Sequence, residues 1–170
     1  MGATGWRRGR WAATGALAVA LAIGAIVGGA VAGVGVGRVG AEDSPAGPTY
    51  LNADPQAGAP YSDAVRVGSM LYLAGNLGLD KDGKLVPGGI TGETDRMLQN
   101  LKASLERNGS SLDRVVSCIV MLADIRDRDA MNDVYKKYWA PGHFPARSAF
   151  GTTGLYLGAR VEISCSAVGR

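Results

Sequence analysis

Val115-Val116-Ser117-Cys118-Ile119-Val120-Met121-Leu122 is the stretch on which the fold turns. This nearly continuous apolar run predicts a strand buried on both faces. Before it, Thr91 can cap a helix reaching about Asn108. Met97, Leu98, Leu101 and Leu105 share one face at helical spacing, and Gly109 ends it. After it, Asp127 can cap a second helix with Ala130, Met131, Val134, Tyr135 and Tyr138 on its inner face, stopped by Pro141-Gly142. Upstream, Tyr50-Leu51 reads as a short strand. Ala64-Val65-Arg66-Val67 and Met70-Leu71-Tyr72-Leu73-Ala74-Gly75 read as a hairpin turned at Gly68-Ser69. Two more strands, at about 145–152 and 159–168, are joined through Gly154 and Gly158. The order predicts an α+β fold, a six-stranded sheet with two helices. Two helices are too few for both faces, so they should share one. The other face then calls for another copy of the chain.

Charge divides the 170 residues unevenly. Residues 1–41 contain no acid and carry Arg7, Arg8, Arg10 and Arg38, whereas residues 42–170 have a net charge of −1. The basic balance therefore belongs to the leader, and the rest lacks the clustered cations that nucleic-acid binding needs. Residues 11–37 hold no charge and are long enough to cross a bilayer, with arginines ahead that keep the amino end inside. Two readings stay open for residues 1–41. One is a signal peptide cut after Val39-Gly40-Ala41; the other is a retained transmembrane anchor holding the protein to the membrane. Either way the protein is expected to be exported, periplasmic or extracytoplasmic. Residues 42–49 read as a linker and residues 50–170 as the folded domain.

No P-loop, dinucleotide glycine pattern, catalytic triad or metal-ligand cluster is present in the sequence. His143 reads as a loop residue. An oxidising compartment would permit a Cys118–Cys165 disulfide. Both cysteines lie in apolar runs, however, where a buried cysteine usually serves as a small hydrophobe, and bridge geometry is demanding. The reading therefore favours two unbridged thiols. Arg147 lies in Phe144-Pro145-Ala146-Arg147-Ser148, and Glu162 lies in the following strand, where a hairpin would let the two face each other. An arginine there offers a planar fork matched to a carboxylate. The pair reads either as a cross-strand ion pair or as a site for a small anion and a water.

Several stretches taken in order resemble the Rid/YjgF family of reactive imine deaminases, from about residue 50 to residue 168. They are Ala59-Pro60-Tyr61-Ser62-Asp63-Ala64-Val65, Leu73-Ala74-Gly75-Asn76 and Asn100-Leu101-Lys102. They continue with Gly109-Ser110-Ser111-Leu112-Asp113-Arg114-Val115-Val116, Met131-Asn132-Asp133-Val134-Tyr135, Phe144-Pro145-Ala146-Arg147-Ser148 and Val161-Glu162-Ile163. The resemblance implies a chorismate-mutase-like mixed sheet, a homotrimer with ligand clefts between subunits, and hydrolysis of 2-imino acids to 2-keto acids and ammonia without a cofactor. By the same resemblance, Arg147 grips the substrate carboxylate and Glu162 holds the attacking water. Tyr61, Gly75 and Ala149 line the pocket, though an interface role suits Tyr61 equally well.

The chemistry fits these residues. An imine carbon is already electrophilic, so the protein has only to hold the carboxylate and place a water. This chain departs from the family in places. It has Ala74-Gly75-Asn76 for Ser-Gly-Gln, Ala149 where a cysteine is frequent, Ser164 where a second acid is common, and Leu155-Tyr156 for Leu-Pro. These differences bear on substrate range. Two rival readings are a trimer that binds small carboxylates without turnover and a ribonuclease. The net charge of the folded part argues against the second.

Overall fold

Seven strands and two helices build the computed structural model, which describes residues 47–52 and 58–170. The expected leader, with its cut or anchor, and most of the linker lie outside the described residues. Among the described residues no helix is long and apolar enough to cross a membrane.

The strands are β1 (Thr49–Leu51), β2 (Ala64–Val67), β3 (Met70–Leu73), β4 (Asn76–Leu77), β5 (Val115–Leu122), β6 (Ala146–Gly151) and β7 (Val161–Val168). The helices are α1 (Gly89–Arg107) and α2 (Arg128–Tyr135). One mixed sheet runs β1-β2-β3-β7-β5-β6, with β4 also paired to β7. β5 and β6 are parallel, with α2 in the connection between them, and the other pairs are antiparallel. Six strands are expected from the sequence; the seventh, β4, spans two residues, too short for any periodicity to reveal.

The helices cover one face. Met97, Leu98, Leu101 and Leu105 of α1 are fully buried against Leu71, Val120, Leu122, Val161 and Ile163. Each such side chain contributes about 1.5–3 kcal/mol through burial. Gly78 lets α1 come this close, since a Cβ there would lie 2.6 Å from the Glu93 carbonyl oxygen. Met131, Val134 and Tyr135 of α2 are buried as expected, but Ala130 is exposed. Neither expected cap holds. α1 begins after a left-handed Gly88 (φ 104°), which places Thr91 inside the helix. Asp127 precedes α2 but makes no cap bond; its carboxylate accepts from Arg160 Nε (2.9 Å) and Nη2 (2.8 Å) instead.

The expectation of a strand buried on both faces is corrected. Val115, Cys118, Val120 and Leu122 of β5 are buried, while Val116 (43% exposed) and Ile119 (47%) are not. Tyr72 and Phe150 are also about half exposed, and the pairings Tyr72↔Ser166, Ile119↔Ser164 and Met121↔Phe150 set Tyr72, Ile119 and Phe150 on the face away from the helices. The strand is apolar on both sides, but the protomer supplies a cover for one.

The cysteine expectation is also overturned. Cys118 and Cys165 are register partners in β5 and β7, their Cα atoms 4.1 Å apart, and they form a disulfide. Apolar surroundings do not decide pairing; the register does, by setting the two side chains directly opposite on one face.

Candidate functional site

Arg147 sits near the start of β6, with Pro145 just outside the strand. It is paired in register with Cys118, so its side chain rises on the helix-covered face. There α2 receives it along one side. Nη2 donates to Asn132 Oδ1 at 2.7 Å, Nη1 lies 3.9 Å from Met131 Sδ, and the guanidinium carbon stands 4.4 Å from the Tyr135 ring centroid. Asn132 and Tyr135 are three residues apart on the helix and so share a side. All three partners are neutral, and none of the ion pairs among the described residues includes Arg147. The guanidinium is half-buried at a recess of about 340 Å³ lined also by Asn132, Tyr135, Lys136, Phe144 and Pro145. Burial pushes the Tyr135 phenol up to about 12, with the charge of Arg147 pulling the other way. Its hydroxyl is enclosed without a hydrogen-bond partner of good geometry.

Glu162 lies on β7 opposite Met121 of β5 and Leu77 of β4. It falls between the buried Val161 and Ile163, so its side chain points to the face away from the helices. It lines a second recess, of about 630 Å³, with Tyr61, Ala74, Gly75, Leu77 and Tyr156. Burial alone raises its pKa, with no neighbouring charge contributing. Gly75 leaves room for this carboxylate in its present position, since a Cβ there would displace Glu162 Oε1.

The structure therefore separates the two residues that the sequence sets across a hairpin. β6 and β7 do not pair; β5 lies between them, and strand alternation puts Arg147 and Glu162 on opposite faces. The cross-strand ion pair is excluded within one protomer. Tyr61 and Gly75 line the recess of Glu162, while Ala149 shares the face of Arg147 and packs against the core. His143 is exposed in the loop before β6, as expected. Sequence reasoning gives no site role to Asn132, Tyr135, Leu77 or Tyr156. For the first two, their spacing on the second helix was the available signal.

Each recess holds one of the two charged residues that the sequence sets together. One offers an arginine without a carboxylate partner. The other offers a carboxylate whose pKa burial raises, beside an apolar wall. Both recesses fall within residues 51–169, which match the family model described as endoribonuclease L-PSP. A goat protein named 2-iminobutanoate/2-iminopropanoate deaminase is 45% identical over 115 residues, 67% of this chain and 83% of its own length. Among solved structures, yeast Mmf1 is 33% identical with a TM-score of 0.67, covering 73% of this chain and 100% of that one. RidA from the Antarctic bacterium Psychrobacter is 34% identical with a TM-score of 0.62, covering 67% and 92%.

Proposed function

The chain belongs to the endoribonuclease L-PSP family, the Rid/YjgF proteins, and on that premise we propose that it hydrolyses 2-imino acids to 2-keto acids and ammonia. One observation carries the reading: Arg147 is held in a defined position by neutral groups only, leaving its charge for a ligand carboxylate. The relatives named 2-iminobutanoate/2-iminopropanoate deaminase support the same reaction. The nuclease activity in the family's description is not carried over, because residues 42–170 have a net charge of −1 and binding RNA phosphates calls for the opposite.

Arg147 and Glu162 serve one substrate when they come from neighbouring copies. The uncovered sheet face, with Tyr72, Ile119 and Phe150 exposed, supports such an assembly, and a homotrimer is the form proposed. In the cleft, the guanidinium binds the carboxylate through two parallel hydrogen bonds. Glu162 accepts a hydrogen bond from a water and takes its proton as the oxygen attacks the protonated imine carbon. The C=N π pair moves to nitrogen, giving a 2-amino-2-hydroxy acid. Glu162 then returns the proton to nitrogen and the C–N bond breaks. The carbonyl forms as the hydroxyl proton and ammonia leave as ammonium. The raised pKa of Glu162 suits a group that must both take and return a proton.

The test is complementation. Arg147→Ala and Glu162→Gln are prepared separately, mixed in equal amounts under dissociating conditions and reassembled. Subunit-shared sites regenerate about one intact site in four. Mixtures no more active than the separate variants would refute the composite cleft. Export through residues 1–41 remains part of this proposal. It is supported by the charge pattern of the leader and by the Cys118–Cys165 bridge, since disulfides persist in oxidising compartments.

A further inference from the structure

The recess of Glu162 measures about 630 Å³ in one protomer, and its wall is mainly apolar. Of its lining groups, Glu162 is taken up by the water and Gly75 gives that carboxylate room. The rest of the lining is Tyr61, Ala74, Leu77 and Tyr156. Tyr61 is 64% exposed and Tyr156 70%, so neither ring is used by the core. Tyr156 opens a short turn (Tyr156–Gly158) in which Leu157 takes left-handed backbone angles (φ 57°, ψ 13°). Among the described residues it is the one non-glycine with positive φ. Leucine adopts that region at a cost, and strain of this kind collects where a loop is held for function.

We infer that Tyr156, which lines this recess together with Tyr61, selects 2-imino acids with a bulky apolar or aromatic side chain. This rests on the imine-hydrolysis reading. With the carboxylate on Arg147 of one copy and the imine carbon at the water of Glu162, the substrate's remaining substituent extends into the recess. There it meets two aromatic rings and Leu77. A phenyl group gains ring contacts with both tyrosines, whereas a methyl group leaves them in water. Tyr156 acts as a specificity-determining residue, through binding of the side chain and not through the bond-breaking steps.

The experiment uses the full-chain protein with 2-iminopropanoate and 2-imino-3-phenylpropanoate, each generated in place by an amino-acid oxidase, with keto-acid formation followed. Wild type is expected to show a kcat/KM for the phenyl substrate at least equal to that for the methyl one. Tyr156→Ala should lower the phenyl-to-methyl ratio about tenfold, mainly through KM, and Tyr156→Phe should keep the ratio. Light scattering establishes that each variant assembles as wild type does. A wild type that turns over only the methyl substrate overturns the inference and leaves the imine-hydrolysis reading intact. An equal loss on both substrates in Tyr156→Ala, with or without dissociation, overturns it too, by making the tyrosine structural. A wild type inactive on both removes the reading beneath it.

Discussion

Replacing Arg147 tests the candidate site most directly, because its surroundings separate a structural role from a functional one. A structural arginine spends its donors on the protein, as Arg114 does on the Val168 and Gly169 carbonyls; Arg147 donates to Asn132 Oδ1 and otherwise meets only the Tyr135 ring and Met131 Sδ. In Arg147→Ala the folded state loses one hydrogen bond to a neutral amide and one cation–π contact, each worth about 1 kcal/mol. No buried charge is left unpaired, so the fold should survive. The substrate carboxylate, by contrast, loses a charge-assisted bidentate partner in a partly dry cleft. That costs about 2–4 kcal/mol of transition-state binding, or about 30- to 1000-fold in kcat/KM. Arg147→Lys should restore little, because an ammonium offers a point charge where a planar fork is needed. The assay is keto-acid release from freshly generated 2-iminobutanoate, with thermal unfolding and light scattering on the same samples. Wild-type kcat/KM in a well-folded, normally assembled Arg147→Ala protein would falsify the assignment.

Two further predictions concern Glu162 and the disulfide. Burial raises the Glu162 pKa above the unfolded value of about 4.3, so ionising it opposes folding; the penalty is present above the folded pKa and vanishes as pH falls below the unfolded one. Glu162→Gln should therefore be at least as stable as wild type near neutral pH and converge with it in acid, while losing turnover and the acid limb of the kcat profile; a variant that loses stability and keeps that limb refutes the role. The Cys118–Cys165 bridge closes a sequence separation of 47 residues, which in the chain-entropy treatment corresponds to about 4 kcal/mol. Cys118→Ala with Cys165→Ala should lower the denaturation midpoint accordingly, and the denatured, unreduced wild-type protein should show no free thiol. Two titratable thiols there would show that the bridge does not form.

The elements themselves were legible because their signals are local. Met97, Leu98, Leu101 and Leu105 carry a helical period, and Gly68-Ser69 turns a hairpin whatever the rest of the chain does. Pairing is not local. Nothing in 145–168 states that β5 will come between β6 and β7, yet that one insertion separates Arg147 from Glu162 and brings Cys118 opposite Cys165. The caps failed for a related reason. Asp127 was free to cap α2 until Arg160, distant in sequence, took its carboxylate. Asn132 and Tyr135 fell within a recognised stretch, but their task became visible only once α2 lay beside β6.

The apolar run of β5 carried more information than a single protomer uses. Val120 and Leu122 belong to the core, while Ile119 lies on the sheet face that the helices leave open. A strand meant for water on one side would alternate with polar residues there. β5 places Ser117 there but continues with Ile119 and Met121, and the same open face carries Glu162. Burying the face against another copy would remove the exposed Ile119, Phe150 and Tyr72 from water. It would also bring the missing half of the site to the half that each protomer holds. On the proposed composite-cleft reading, contact between copies would cover the apolar residues of β5 and also supply the group that each recess lacks, although Arg147 and Glu162 lie on opposite faces of a single protomer.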